Sequence, residues 1–305
     1  MIHIDPANPG HHITDTYDIN IFGGVAPPGV PVDETESYAI DHGVWSTKAS
    51  MLGGGRYSMG VSSSETSSYI YGGIGASPPP TTYQYSSIGD LWIRKSNIPL
   101  EAGDEAFSWR AATILGDGYL FGGESDPSGG TNHTYKYTYA QDLWEQKTDF
   151  IVERYGHCAA AIGQKGYIYG GLSGVAAERE LEEYSAAFDT WDSKANMLDD
   201  MFFGAGCSVE EKLFSFGGSY DPDEVMEYDA TGDAWSIKTD MPLVSINDRA
   251  VQFNSDVYLI GSLDGMPNPS FPTLYKYNVG LDSWLNMDND FLYPRQGFGA
   301  TVSLG

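Results

Sequence analysis

Basic residues are scarce in this chain: 16 Lys and Arg stand against 42 Asp and Glu, which gives a formal charge of −26. A surface this negative repels phosphate groups and anionic lipid heads, so nucleic acid and membranes are disfavoured as partners. Basic proteins, cations and neutral glycans remain compatible with it. High net charge also keeps a protein soluble, and that role alone could account for the acidity.

Cysteine and long apolar runs are equally scarce. The two cysteines, Cys158 and Cys207, are too few for a secreted scaffold held by disulfides. No run of 18 apolar residues could span a bilayer, and residues 1–10 lack the charged-then-apolar pattern of a secretion signal. We therefore expect a soluble chain without a signal peptide, folded in a reducing compartment or assembled directly into a larger particle.

Glycine and aromatic residues are abundant, with 37 Gly, 21 Tyr and 7 Trp, a composition that favours strands joined by tight turns. An aromatic residue followed by a glycine doublet occurs five times, at Gly23-Gly24, Gly72-Gly73, Gly122-Gly123, Gly170-Gly171 and Gly217-Gly218. Ile260-Gly261-Ser262 is a degenerate sixth copy. The first glycines lie 44 to 50 residues apart, and a period of this length indicates a repeat architecture.

A second marker runs in phase with the doublet: a tyrosine is followed seven positions later by a tryptophan in all six units. The pairs are Tyr38 with Trp45, Tyr85 with Trp92, Tyr137 with Trp144, Tyr184 with Trp191, Tyr228 with Trp235, and Tyr277 with Trp284. We interpret these rings as structural apolar bodies that fill the wedge between neighbouring repeats.

Two further residue types accompany each pair. Five units have Asp two residues before the Trp, namely Asp90, Asp142, Asp189, Asp233 and Asp282, which we interpret as a turn residue. Five have Lys three residues after the Trp, namely Lys48, Lys95, Lys147, Lys194 and Lys238, which we interpret as protection of an exposed strand edge.

Each unit of this length accommodates four short strands, a to d, so the sequence predicts an all-β, six-bladed β-propeller. The chain ends on a segment like strand a, residues 295–305, and begins with a segment like strand b, residues 16–24. The C-terminal strand a should therefore join the N-terminal strands b–d in one blade and close the ring.

We predict an N-terminal extension over residues 1–14 and a single propeller over residues 15–305. The predicted blades are 15–50 plus 295–305, 55–97, 105–149, 154–196, 201–240 and 245–289.

The doublet, tyrosine and tryptophan at this spacing resemble the kelch-repeat β-propeller family over essentially the whole chain. Two departures are the Gly261-Ser262 doublet and Gly43, which stands where the other repeats have Asp. The resemblance implies a rigid disc that presents a binding surface. It also implies that arginines near the start of strand a line the mouth of the channel, where some family members contact acidic peptides.

Five of the seven arginines lie at or just inside the start of strand a. Arg56, Arg154 and Arg295 stand at the family's arginine position, sixteen residues before the doublet where one is present, and Arg110 and Arg249 stand four residues further in. All five are candidate ligand-binding residues, because the long b–c loops lie on the same face and guanidinium groups bind carboxylates. The alternative is structural, with each arginine tying neighbouring blades through acids such as Glu105 or Asp248.

No catalytic residue, metal or cofactor is expected. The six histidines (His3, His11, His12, His42, His133 and His157) lack the spacing of converging metal ligands. The acidic segments 221–224 and 288–290 have too few ligands for a calcium loop. A disulfide between the two cysteines is disfavoured, because they lie two positions out of register relative to their doublets.

Three functions are compatible with these features. The first is a non-catalytic interaction or scaffold module that binds a protein, peptide or glycan through its b–c loop and channel-mouth face. The second is a capsid- or tail-associated virion component, with other virion proteins as partners. The third is a sugar-active enzyme similar to the kelch-type sialate mutarotases, with an acid/base group at the channel mouth. The expected location is accordingly cytoplasmic or within a virion.

Overall fold

The computed structural model describes residues 2–4, 12–14, 16–75, 81–100, 107–125, 129–242, 244, 246–263, 270–287 and 293–305. Six four-stranded antiparallel sheets stand as blades around a central channel. The described part of the chain contains no helix. The prediction of a six-bladed, all-β propeller is confirmed.

The strands follow one plan in every blade. The innermost strands a, in blade order, are Gly299–Leu304, Gly60–Ser63, Arg110–Ile114, Cys158–Ile162, Ala205–Val209 and Arg249–Phe253. Strands b are Tyr17–Phe22, Ser67–Tyr71, Asp117–Phe121, Lys165–Tyr169, Lys212–Phe216 and Asp256–Leu263. Strands c are Thr35–Ala39, Thr82–Ser86, Thr134–Thr138, Leu181–Ser185, Val225–Asp229 and Ser270–Asn278. The outermost strands d are Val44–Lys48, Leu91–Arg94, Leu143–Lys147, Thr190–Ser193, Ala234–Ile237 and Ser283–Asn286.

The two ends of the propeller meet in blade 1. Strand a, Gly299–Leu304, pairs antiparallel with strand b, Tyr17–Phe22, so that Tyr17 lies opposite Leu304 and Phe22 opposite Gly299. Inside this ladder the Asn20 side chain donates a hydrogen bond to the Ser303 hydroxyl at 3.0 Å. The predicted closure by the C-terminal strand is confirmed, and the ring cannot open without breaking a ladder of six residues.

The six repeat tryptophans lie on strand d, each directly opposite the repeat tyrosine of strand c. The pairs in register are Tyr38 with Trp45, Tyr85 with Trp92, Tyr137 with Trp144, Tyr184 with Trp191, Tyr228 with Trp235, and Tyr277 with Trp284. Ring centroids within a pair are 4.8–5.3 Å apart. The indoles of Trp45, Trp144 and Trp235 are buried, whereas those of Trp92, Trp191 and Trp284 are half-buried. The wedge expected from the sequence is therefore only partly closed to solvent at the rim.

Each tryptophan also contacts the preceding blade. In blades 2 to 6 the tryptophan ring lies 5.2–5.8 Å from an aromatic ring of the preceding blade, the one that stands just before the glycine doublet there. These contacts are Trp92 with Phe22, Trp144 with Tyr71, Trp191 with Phe121, Trp235 with Tyr169, and Trp284 with Phe216. Trp45 instead shares a buried cluster with Ile260, the aliphatic residue at that position of blade 6.

Neighbouring blades are also joined by a hydrogen-bonded latch built from the repeat tyrosine, aspartate and tryptophan. In blades 2 to 6 the Tyr hydroxyl donates to the Asp carboxylate at 2.5–2.9 Å. The same carboxylate accepts the backbone N–H of a residue in the preceding blade at 2.8–3.0 Å. The Trp indole donates to the carbonyl of that same residue at 2.9–3.3 Å. The residues held in this way are Ala49, Ser96, Thr148, Ala195 and Thr239.

The latch corrects the purely apolar role that the sequence suggested for the tryptophans. Trp92, Trp144, Trp191, Trp235 and Trp284 each use the indole N–H as a donor across a blade boundary. A partly buried indole N–H without an acceptor would be unfavourable. The preceding blade supplies both the acceptor for the N–H and the apolar contact for the ring.

The five latch aspartates have φ between 45° and 54°, a left-handed conformation that Asp tolerates better than most residues. The interpretation of these aspartates as turn residues is therefore incomplete, because the carboxylate also binds across the blade boundary. At Asp233, hydrogen bonds from the Ala195 N–H and the Tyr228 hydroxyl lower the pKa of the carboxyl. The ionised carboxylate is the form that accepts both bonds.

The junction between blades 6 and 1 lacks this carboxylate. Gly43, with φ of 66°, occupies the aspartate position. The buried Tyr38 hydroxyl has no hydrogen-bond partner among the described residues. This seam therefore lacks one component of the latch that the other five junctions share.

The loops between strands b and c are more ordered than long Pro/Gly-rich segments suggest. Three of them fold into short hairpins: Val25–Ala26 with Val30–Pro31, Glu124–Ser125 with Gly129–Gly130, and Leu172–Ser173 with Ala176–Ala177. In blade 2, Ile74–Gly75 pairs with Arg56–Tyr57. Loop residues 76–80, 126–128 and 264–269 lie outside the described residues.

Within the predicted extension 1–14, Ile2–Ile4 pairs antiparallel with His12–Thr14. The remaining residues of that segment lie outside the described part of the chain.

Restoring the missing carboxylate should strengthen the seam. We expect Gly43→Asp to be more stable than Gly43→Ala, because Ala suffers the left-handed backbone strain of about 1–2 kcal/mol without supplying an acceptor. A hydrogen bond from Tyr38 to a charged carboxylate contributes about 1.5–3 kcal/mol. Urea unfolding of the two variants measures the difference, and equal midpoints would show that the carboxylate adds nothing here.

Candidate functional site

The central channel has a volume of about 710 Å³, and its lining residues come from all six blades. The first residue of strand a forms one layer around it. In blade order this layer is Gly299, Gly60, Arg110, Cys158, Ala205 and Arg249. Four members are small, and the two arginines come from blades 3 and 6, which face each other across the ring.

Arg154 is wholly buried below the loop face. Its Nη2 donates to Glu182 Oε1 at 2.6 Å, and its Nη1 donates to the carbonyls of Gly170 at 3.1 Å and Glu180 at 3.0 Å. Its Nε donates to the Val152 carbonyl at 3.1 Å. These bonds leave the guanidinium committed to the protein interior.

The other two arginines of this class are buried in the same way. Arg295 Nη2 donates to Glu36 Oε2 at 3.1 Å, and its Nη1 donates to the Glu34 carbonyl at 3.2 Å. Arg56 lies over the Tyr83 ring, 4.5 Å from its centroid, and donates to the Gly72 carbonyl at 3.3 Å. Both side chains are buried.

The partner of each buried arginine stands two residues before the repeat tyrosine of its blade. Where a blade lacks the arginine, the residue at the partner position differs as well. Blades 1 and 4 have Glu36 and Glu182 there, and blade 2 has Tyr83. Blade 5 has Met226, packed in one buried cluster with Met201, which occupies the arginine position. This covariation between repeats is visible in the sequence. It identifies partners different from the two acids first considered, since Glu105 lies outside the described residues and Asp248 adjoins Arg249.

Arg110 and Arg249 differ from the other three because both are half-buried and line the channel. Among the described residues, Arg110 donates only to the Trp109 carbonyl at 3.4 Å. Arg249 donates to the carbonyls of Asp248 at 2.9 Å and Asn247 at 3.4 Å. A guanidinium carries five N–H donors, so both retain donors for the channel.

The electrostatic surroundings of this pair are unusual. Burial and the charge of Arg110 lower the pKa of Arg249 to about 9, against the opposing effect of Asp248. The Asp248 carboxylate fills the space that a Cβ at Gly261 would occupy, which explains a glycine at that position of the degenerate doublet. The two arginines thus form a pair of like charges at the loop-face end of the channel.

The histidine and cysteines next to this pair are in unreactive states. Burial and the charges of Arg110 and Arg154 lower the pKa of His157 well below its usual range, so its ring is neutral at pH 7. Cys158 and Cys207 are free, buried thiols. Burial raises the pKa of Cys158 to about 12, which keeps the thiol protonated and a poor nucleophile. Among the described side chains, no three His, Cys, Asp or Glu residues converge as metal ligands.

A row of aromatic rings crosses the loop face over blades 4 and 5. Ring centroids are 6.2 Å apart for Tyr155 and Phe203, 5.4 Å for Phe203 and Phe202, and 5.7 Å for Phe202 and Tyr220. The first three rings are half-buried and Tyr220 is 62% exposed. Because successive strands of a blade alternate in direction, the d–a connections and b–c loops that carry these rings lie on one face.

Phe203 has a strained backbone, with φ of 57°. The equivalent positions of the other blades also have positive φ, but they hold residues that tolerate it better: Gly297, Ser58, Ser108, Gly156 and Asn247. A bulky aromatic residue in this region is an outlier and costs about 1–2 kcal/mol. Sequence reasoning missed it, because the conformation of this position is recognised only when the blades are superimposed.

Acidic residues adjoin the exposed end of this row, since Asp221 directly follows Tyr220. Burial and the charges of Asp221, Asp199 and other acids raise the pKa of Glu224. The loop face of blade 5 is therefore both aromatic and strongly negative, and blade 5 has a methionine where blades 1, 2 and 4 have their buried arginine.

Comparison with known proteins gives a consistent result. No family model matches the chain. It is 26% identical to Kelch-like protein 23 of Homo sapiens over 63% of this chain and 35% of that protein. It is 25% identical to Kelch-like protein 25 of Xenopus tropicalis over 54% and 30%, and 23% identical to Kelch domain-containing protein 3 of Rattus norvegicus over 58% and 53%. The chain thus spans about a third of the length of the Kelch-like relatives.

In the part of the chain that the structure describes, no helix has the length and apolar character needed to cross a bilayer.

The two classes of arginine should respond differently to the same substitution. Arg154→Met leaves the buried Glu182 carboxylate without its cation and should destabilise the fold by about 3–5 kcal/mol. The double variant Arg154→Met with Glu182→Met, which reproduces the methionine pair of blade 5, should recover much of that loss. Arg249→Met should not lower stability, because it removes repulsion. Denaturant unfolding measures all three, and a large loss in Arg249→Met would assign that residue a structural role.

Proposed function

We propose that this six-bladed propeller, which is similar in sequence to Kelch-like proteins, is a non-catalytic interaction module that binds a protein partner on the face carrying its b–c loops and channel mouth. The propeller supplies a rigid disc, and the loops at one face supply the contacts. The fold and the similarity to Kelch-like proteins support a protein-binding role in general.

The observation that carries the proposal is the strained aromatic residue Phe203 at the centre of the aromatic row. Backbone strain persists where the surrounding structure enforces it, and such residues cluster at functional sites. Here the Phe203 N–H donates to the Gly156 carbonyl and its carbonyl accepts from the Asn247 N–H, both at 2.8 Å. These bonds hold Phe203 in the left-handed conformation from both sides.

The chemistry of the face indicates a basic partner segment. Aromatic residues are enriched at protein interfaces, and Tyr is among the residue types that most often carry the affinity. The neighbouring carboxylates attract Lys and Arg, and aromatic faces bind such cations further. A protein segment with basic and apolar residues fits both features, and the overall charge of −26 speeds its approach.

Selection from a random peptide library on the wild-type protein tests this proposal. We expect the selected peptides to be rich in Lys and Arg and to bind Phe202→Ala and Phe203→Asn at least about tenfold more weakly than wild type. Asn tolerates positive φ and is the residue of blade 6, so Phe203→Asn should unfold within about 1 kcal/mol of wild type.

Phe188→Ala is the matched control, because Phe188 is 81% exposed in the c–d turn on the opposite face. Fluorescence anisotropy compares the variants. Peptides that bind Phe203→Asn as tightly as wild type, or that lose affinity only in Phe188→Ala, would overturn the assignment of this face.

A further inference from the structure

The two channel arginines occupy positions where the other blades have small residues. In the layer they share, blades 1, 2, 4 and 5 contribute Gly299, Gly60, Cys158 and Ala205. The four small residues leave room in this layer beside the long side chains of Arg110 and Arg249. Two arginine side chains therefore share the part of the channel that small residues of the other four blades leave unfilled.

Blades 3 and 6 resemble each other beyond these arginines. In blade 3, Lys136 on strand c pairs with Asp117 on strand b at 2.9 Å, and in blade 6 Lys276 pairs with Asp256 at 2.6 Å. Blades 4 and 5 reverse the charges, with Lys165 pairing with Glu183 and Lys212 with Glu227.

Blades 1 and 4 share the buried Arg–Glu pair, whereas blades 2 and 5 differ at the corresponding positions. Blades 3 and 6, which lie opposite each other in the ring, share both the channel arginine and the Lys–Asp pair.

The channel between the arginines can hold a small molecule. Its volume is about 710 Å³, within the range of ordinary ligand pockets. Hydroxyl and amide side chains line it together with the arginines, namely Ser62, Ser63, Thr113, Ser208, Gln252 and Thr301. Asp248 is the one carboxylate among the described lining residues, so the pair of arginines keeps a positive excess there.

We propose that the channel binds a small dianion with one anionic group at each end, one held by Arg110 and the other by Arg249. Guanidinium groups form paired, charge-assisted hydrogen bonds with carboxylate and phosphate groups. Two cations on opposite blades favour a ligand with two separated charges over a single ion. Binding also removes the repulsion between the two arginines, so the ligand should stabilise the fold. The site does not depend on the proposed partner face.

A series of linear dicarboxylates from malonate to adipate, titrated calorimetrically at about 0.15 M salt, measures the spacing of the site. We expect one chain length to bind at least about tenfold more tightly than butyrate, a monocarboxylate of similar size. Arg110→Met and Arg249→Met should each lose at least about tenfold in affinity for that dicarboxylate. Arg94→Met is the control, because it removes the same charge from an exposed residue of strand d.

Thermal unfolding provides a second readout. The best dicarboxylate should raise the unfolding temperature of wild type and of Arg94→Met, and should leave that of Arg110→Met unchanged. Binding of butyrate as tight as that of every dicarboxylate would overturn the dianion assignment. Equal effects of the three arginine substitutions, or no binding by any compound of the series, would overturn the site itself.

Discussion

The structure depends on a short latch in which one aspartate carboxylate joins two blades. Each latch aspartate accepts a tyrosine hydroxyl from its own blade and a backbone N–H from the preceding blade, while the tryptophan indole binds the carbonyl beside that N–H. The contact therefore fixes one residue just beyond the outer strand of the neighbouring blade at both of its polar backbone groups. Because five junctions repeat this geometry, the blade-to-blade angle is set at the rim, and the width of the channel follows from it.

The seam between blades 6 and 1 shows what happens without the latch carboxylate. Gly43 removes the acceptor, and the Tyr38 hydroxyl is buried without a partner among the described residues. A buried hydroxyl without a hydrogen bond is unfavourable by about 1–3 kcal/mol. Closure at this point depends instead on the ladder between strands a and b of blade 1. Thr301 of that strand a also forms a hydrogen bond of 2.6 Å with Ser68 of blade 2.

Much of this architecture could be predicted from the sequence, because Tyr, Trp and the glycine doublet recur in phase. The closure was predictable for the same reason, since an unpaired strand a and an unpaired strand b must meet. The hydrogen bond of each indole to the next blade was not, because its acceptor is a backbone carbonyl that leaves no mark on the sequence.

The roles of the arginines were also harder to predict. Arg154 and Arg110 are both near the start of strand a, and their four-residue offset places one in the interior and the other in the channel. The partner Glu182 lies on a different strand, so its contact with Arg154 follows only from the pairing register. Sequence position alone therefore grouped two kinds of arginine that the structure separates.

The residues that depart from the repeat lie at the two proposed binding sites. The repeated latches and the ladder of blade 1 explain why the fold tolerates them. Phe203 keeps an unfavourable backbone, and Arg110 and Arg249 place two like charges in one channel. The latches and the closed ladder hold every blade in place, so the strain and the repulsion cannot relax by moving a strand. A dianion between the arginines, as proposed, would offset their repulsion, whereas contacts to the Phe203 ring would leave its backbone conformation unchanged. A rigid ring of repeats thus makes single-blade exceptions the most informative positions of the chain.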